Sequence, residues 1–179
     1  TKAVTQGDGE TSDKDRKAKK KEKNVKGGRG FALQDVDAPP SICLNIIADL
    51  TSYHKYVPSV KKVTIYESHT SLNGTTRSKA QFDVRVFGVA FRYFIDCTRQ
   101  PKYNTYTWTL DYDKASDFDD NVGHWQVMTH PSKHGWSRVL YSTEIRLPPW
   151  LPGMVVKFLT NTAILESTQW VKEGSETEA

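Results

Sequence analysis

Period-two alternation of apolar and polar residues dominates the middle of the chain. Phe82, Val84 and Val86 alternate with Gln81, Asp83 and Arg85. Gly88 shifts the phase, after which Val89, Phe91, Tyr93, Ile95 and Cys97 share one face, opposed by Arg92 and Asp96. "YTWTLDYD" puts Tyr106, Trp108, Leu110 and Tyr112 on one side, and "HWQVMT" adds Trp125 and Val127. In "RVLYSTEIRL", Val139, Tyr141, Thr143, Ile145 and Leu147 oppose Arg138, Glu144 and Arg146. One apolar row and one polar row per segment predict antiparallel strands with a single wet face. Asn73-Gly74 falls between two such segments and predicts a hairpin turn. Asn73-Gly74-Thr75 is also a glycosylation sequon, but the turn explains it and no secretory leader supports the other use.

Helical spacing flanks this block. "GFALQDVDAPP" reads as a short strand stopped by Pro39 and Pro40, with Asp37 a candidate N-cap. "SICLNIIADL" then places Ile42, Ile46 and Ile47 on one helical face, widened by Cys43, Leu44 and Leu50. "TSYHKYVPS" predicts a second short helix ending at Pro58. The closing "PPWLPGMVVKFLTNTAILESTQWV" predicts one long helix. Pro148, Pro149 and Pro152 break its start, and Lys157, Asn161 and Glu166 interrupt the rest, so it does not read as a membrane span. At 100° per residue Met154, Val155, Phe158, Leu159, Ala163, Leu165 and Trp170 form an apolar arc that also contains Thr162, Glu166 and Gln169. A plain core helix avoids polar groups there unless they are paired, whereas a helix lining a ligand cavity has a use for them.

The element order is therefore a strand, two short helices, six hairpin-connected strands and a long helix. The expected class is α+β, a helix-grip arrangement in which a curved antiparallel sheet wraps the C-terminal helix. The concave aromatic wall and the helix facing it enclose either a filled core or a cavity for one apolar ligand. The cavity reading names Phe82, Phe91, Tyr93, Tyr106, Trp108, Trp125 and Tyr141 on the sheet and Phe158, Thr162 and Glu166 on the helix. Trp150 and Met154 stand at its expected mouth.

Charge separates the chain into unequal parts. Residues 1–30 carry ten Lys/Arg against five Asp/Glu, so the overall charge of +4 belongs to this end and the remainder is slightly acidic. Residues 1–28, nearly free of apolar side chains, are expected to form a disordered tail, residues 29–173 the domain and residues 174–179 a flexible end. The tail reads as a solubilising linker or, through residues 14–29, as a tether to an anionic membrane surface. A domain with no basic face of its own argues against nucleic acid as a partner. Cys43 and Cys97 lie far apart without a CxxC and read as two buried free thiols.

Catalytic motifs are not found. His130 and His134 have HxxxH spacing, but Pro131 and Gly135 make the segment a solvated turn rather than a zinc-bearing helix. Asp117, Asp119 and Asn121 suggest a calcium loop, yet Val122 and Met128 occupy the positions that need glycine and glutamate. No metal, cofactor or catalytic residue is assigned. Were the cavity an active site, its polar groups would be Tyr93, Tyr141, Glu166 and Arg92, the last disfavoured by its place on the wet face.

"DAPPSICLNIIADLTSYHKYVPSVKKVTI" and "SRVLYSTEIRLPPWLPGMVVKFLTNTAILESTQWVK" resemble START-like, Bet v 1-type domains of the polyketide cyclase/dehydrase and coenzyme Q-binding group, especially plant and algal organelle members. The resemblance spans about residues 28–173. It implies the helix-grip fold and non-enzymatic binding or transfer of a lipid, isoprenoid quinone or similar molecule. The alternative it implies is a cyclase- or aromatase-like enzyme acting on a polyketide-type or other carbonyl compound in the same cavity. It implies an organellar protein, plastid rather than mitochondrial, and with no apolar run of 18 residues the chain is expected to be soluble or peripheral and not transmembrane. Tyr56-Val57-Pro58-Ser59-Val60 lacks the Trp-Cys pair that the quinone-chaperone branch carries at the matching place.

Overall fold

The computed structural model describes residues 26–179, with only the backbone for residues 162–165. Residues 1–25 of the basic tail lie outside the described residues. Among the described residues seven strands form one antiparallel sheet: β1 (Lys26–Val36), β2 (Val60–Thr70), β3 (Thr76–Val86), β4 (Val89–Gln100), β5 (Thr105–Leu110), β6 (Asp120–Thr129) and β7 (Ser137–Leu147). Their order across the sheet is β1-β7-β6-β5-β4-β3-β2. Neighbours from β2 to β7 are consecutive hairpin partners, and the first strand closes onto the last. Helices α1 (Pro40–Ala48) and α2 (Tyr53–Tyr56) fill the connection from β1 to β2. The terminal helix has three parts, α3 (Gly153–Lys157), a π-helical segment (Phe158–Thr162) and α4 (Ala163–Glu178).

The sheet reaches this helix from both sides. Gly28 of β1 lies beside Thr160, and the Phe87 ring at the β3–β4 turn meets Phe158 edge-on at 5.6 Å. The alternation that predicted the strands is the alternation of burial: Phe82, Val84 and Val86 are buried, as are Tyr106, Trp108 and Leu110, and Val139, Thr143, Ile145 and Leu147. Tyr112 is the exception. It follows the end of β5, is exposed, and donates its hydroxyl to Asp120 Oδ1 at 2.9 Å. Across the helix layer Leu44 and Ile47 of α1 and Val171 of α4 complete the core.

Several local expectations change once backbone pairing is seen. Lys26, Gly27 and Gly28 belong to β1, where Lys26 pairs with Leu147. Composition assigned them to the tail, but ladder hydrogen bonds use backbone groups that every residue except proline supplies. The end set apart as flexible is also structured: α4 continues to Glu178, Gly174 and Ser175 are buried, and Gly174 packs against Ile46 and Tyr56. Asp37 does not cap α1. Pro39 takes the cap position, and the Asp37 backbone N–H donates to Glu176 Oε1 at 2.9 Å.

The two hairpins that flank β3 differ. At Asn73-Gly74 the strands part into a five-residue loop, in which Asn73 Oδ1 accepts the Thr75 N–H at 3.0 Å. At Phe87-Gly88 the connection is a two-residue turn between paired Val86 and Val89, with φ of 48° and 83°. That is the positive-φ pattern of a type I′ turn, for which a bulky residue at the first position is unusual.

Candidate functional site

Inward-facing side chains of β3 to β7 build an aromatic trough. Phe82 and Tyr93, paired across β3 and β4, stack with centroids 5.1 Å apart. Phe118, from the loop before β6, covers both Tyr93 at 4.8 Å and Phe91 at 5.1 Å. Farther along, Tyr141 stacks on Trp108 at 5.7 Å and tilts against Trp125 at 4.4 Å. Gly123 makes this second group possible: a Cβ there would lie 2.4 Å from Trp108 Cζ2 and 2.4 Å from the Ser142 carbonyl oxygen. The Trp108 indole N–H donates to Asn121 Oδ1 at 3.0 Å, so a polar group turned toward the trough is paired.

Helices roof the trough. Tyr53 donates its hydroxyl to the Ile47 carbonyl at 2.6 Å and sets its ring against Trp170 at 4.8 Å and Phe82 at 5.9 Å. Tyr56 stacks on the same indole at 5.6 Å. Between roof and trough is a cavity of about 190 Å³. Phe82, Phe91, Tyr93, Tyr106, Trp108, Trp125 and Tyr141 all line it, and so does Glu166, whose residue is nevertheless exposed. Glu166 therefore stands at an open edge of the cavity.

The helix side of the expected wall is placed differently. Phe158 is turned out of the cavity onto Phe87, and Leu159 lines it instead. The cause lies in the π-helical segment, whose wider turn breaks the 100° spacing used to place the arc. The Thr162 side chain lies outside the described residues. Trp150 and Met154 are exposed and do not line the cavity. Tyr53, Tyr56, Val57, Pro58, Phe118, Ser167 and Trp170 also line it, outside the wall that periodicity predicts. Trp170 had a signal in its place on the apolar arc, whereas Phe118 is hidden inside an acidic run.

Apart from Glu166 at the open edge, the ionisable groups facing the cavity are phenols. Burial pushes Tyr53, Tyr93 and Tyr106 above the usual tyrosine range. Tyr141 is raised for the same reason, against the opposing pull of hydrogen bonds with Thr143 and Ser167. Cys97, beside Tyr106, is pushed up to about 11, chiefly by burial. The cavity thus presents neutral O–H groups at neutral pH rather than a phenolate or thiolate. Arg92 faces away, donating through Nε to Asp83 Oδ1 at 2.7 Å. Asp117 accepts the Arg92 backbone N–H at 2.6 Å, so its carboxylate pins the loop to β4.

His130 is not on a solvated turn. It is buried at the far end of the sheet, with Nε2 3.1 Å from Asp35 Oδ2, while its Nδ1 accepts the backbone N–H groups of Ser132 and Lys133. Arg138 donates Nε to the other Asp35 oxygen at 2.7 Å. The Arg138 hydrogen bonds hold the Asp35 carboxyl below the usual carboxylate range, with a further contribution from His130. Strand pairing brings these residues together across β1, β7 and the β6–β7 turn, and local spacing gives no sign of it.

An antiparallel sheet gripping a C-terminal helix around an aromatic cavity defines a START-like helix-grip domain. The family model described as polyketide cyclase / dehydrase and lipid transport matches residues 36–169, and the chain belongs to that family. A START superfamily protein from Mycobacterium smegmatis aligns with TM-score 0.67 and 16% identity over 84% of this chain and 99% of its own. A protein from Thermus thermophilus aligns with TM-score 0.65 and 16% identity over 84% and 95%. The Zhui aromatase/cyclase from a Streptomyces species aligns with TM-score 0.57 and 14% identity over 84% and 83%. At these identities the likeness is one of fold. Comparison with curated protein sequences gives no match. Among the described residues no helix is long and apolar enough to cross a membrane.

Proposed function

We propose that this domain binds one apolar or amphipathic molecule, a lipid, isoprenoid quinone or similar compound, in the cavity between sheet and helix and passes it on unchanged. The observation that carries the reading is the wall: aromatic rings from five strands, the loop before β6, α2 and α4 close on a space with few polar groups. Burial of apolar surface at about 25 cal/mol per Å² would dominate affinity. A volume of about 190 Å³ is below the roughly 300–1,000 Å³ of common ligand pockets. A compact ring system or one end of a chain fits it, and a larger cargo needs the open edge at Glu166 to widen. The test is native mass spectrometry of the protein purified from its own source, with displacement of a fluorescent lipid probe. A co-purified lipid is expected. Repeated absence of one, together with no displacement, overturns the reading.

A second reading, a cyclase- or aromatase-like enzyme on a carbonyl compound, is favoured by one observation. The phenols of Tyr93 and Tyr141 both belong to the cavity and stay protonated, as donors to a carbonyl oxygen must. It expects Glu166→Gln or Tyr141→Phe to abolish turnover while leaving ligand binding and melting temperature nearly unchanged. Joint loss of turnover and binding, or no turnover at all, removes it.

Residues 14–29 are proposed as an electrostatic tether to anionic membrane; residues 14–25 lie outside the described residues. Removing the tail weakens salt-sensitive vesicle binding if this holds. An organellar setting, plastid before mitochondrion, accompanies the proposal.

A further inference from the structure

The end of the sheet that carries the β3–β4 turn also carries the start of β2, the end of β7 and the entry into α3. Three large apolar side chains are exposed there: Phe87 at 62%, Trp150 at 57% and Met154 at 62%. They share this end of the fold. Phe87 touches Phe158, Met154 precedes Phe158 by four residues on the same helical run, and Trp150 lies in the proline-rich loop leading into it. That loop is tied down, because Lys26 Nζ donates to the carbonyls of Pro149 and Leu151 at 2.6 and 2.7 Å.

Phe87 is held in the left-handed region at the tip of its turn, where Asn or Gly is preferred. A phenylalanine that is both conformationally disfavoured and exposed contributes little to the fold of its own turn. Single exposed apolar residues need no explanation, but three large ones at one end of the fold do.

The charges at this end have one sign in excess. Lys61, Lys62, Arg85 and Lys157 are exposed and make no ion pair with a described residue, although Lys61 donates to the Pro58 carbonyl. Of the acids at this end, Asp83 is paired with Arg92 and lies opposite Lys62, Asp117 accepts the Arg92 backbone N–H, Asp120 lies opposite Arg146 and accepts the Tyr112 hydroxyl, Asp113 lies near Lys79, and Asp119 is exposed. Exposed apolar side chains with exposed cations at the same end of the fold suit the boundary of a bilayer with anionic headgroups.

We propose that this rim, Phe87, Trp150 and Met154 with Lys61, Lys62, Arg85 and Lys157 around it, docks on an anionic lipid bilayer and presents the cavity end of the domain to it. The proposal goes beyond cargo binding and stands on the surface alone. It differs from the tail tether in its salt response: the apolar part of docking survives salt, and a basic tail does not.

The test uses the full chain and vesicles of phosphatidylcholine, with or without about one third phosphatidylserine, at about 0.15 M and about 1 M salt. Tighter binding to the serine-containing vesicles is expected, with a component that persists at high salt. In the Phe87→Asn, Trp150→Ser double variant that persistent component falls about tenfold or more. Asn suits the turn at position 87, so the fold should hold, and circular dichroism checks this. Trp150→Phe keeps the anchor, so it binds as the wild type does, while quenching of its tryptophan fluorescence by brominated acyl chains falls. Full binding by the double variant, or equal binding to both vesicle types, overturns the proposal. Self-association in sedimentation that the double variant abolishes also overturns it, by assigning the rim to a second copy of the chain. Cargo binding is read apart, on the wild-type chain with a soluble fluorescent fatty acid, so an empty cavity and an undocked rim give different results.

Discussion

Phe118 stacks on Tyr93 with ring centroids 4.8 Å apart and an interplanar angle of 15°. It comes from a loop rather than a strand, yet it is buried and closes one side of the cavity. Its loop is held by Asp117, which accepts the Arg92 backbone N–H, and by Ser116, whose hydroxyl accepts the Phe94 N–H. Phe118→Ala should therefore cost about 3–5 kcal/mol in urea unfolding, the range for a large ring lost from a core. A loss under about 1 kcal/mol would mean that the loop collapses into the space and does not shape the cavity.

Gly123→Ala is expected to be costly for a different reason. Its new methyl meets the Trp108 ring on one side and the Ser142 carbonyl on the other, and backbone cannot step aside cheaply. A destabilisation of about 1–3 kcal/mol is expected, as for overpacking, with a shift in tryptophan emission as the indole is displaced. Wild-type stability and emission in the alanine variant would refute the contact.

Asp35 sets an acid limit on stability. Its carboxyl is held below the ordinary range, so it stays ionised in the folded chain at pH values where the unfolded chain takes up a proton. The resulting stability is fully present above the unfolded value of about 3.9 and is lost as pH falls below it toward the depressed folded value. Asp35→Asn should be less stable at neutral pH and lose less on acidification. Unfolding free energies of both proteins between about pH 5 and pH 2 check this. Parallel acid limbs would show that the Arg138 and His130 contacts carry no linkage.

Truncation separates tail from strand. A chain beginning at Lys26 keeps every β1 pairing, whereas one beginning at Arg29 loses three residues of the ladder and the Lys26 hydrogen bonds to the Pro149 and Leu151 carbonyls. The shorter chain should unfold at lower denaturant, by about 1–3 kcal/mol, and the Leu151 amide should exchange faster. Identical midpoints for the two chains would return residues 26–28 to the tail.

What the sequence determined by itself is everything that one strand or one helix imposes locally. A period of two cannot be met without turning Phe82, Phe91, Tyr93, Trp108, Trp125 and Tyr141 to one face, so the sheet wall was legible. The proline pairs and the Asn73-Gly74 turn marked most boundaries because their backbone preferences need no distant partner. Tertiary structure decided the rest, through contacts between residues far apart in the chain. Phe118 looked like part of an acidic turn until β4 supplied a surface for it. His130 looked solvated until Asp35, 95 residues away, came within 3.1 Å. Phe158 lay on the right arc for a regular helix, and the π-helical segment turned it onto Phe87. Periodicity reports which side of an element is apolar; which neighbour that side meets depends on pairing and packing over the whole chain.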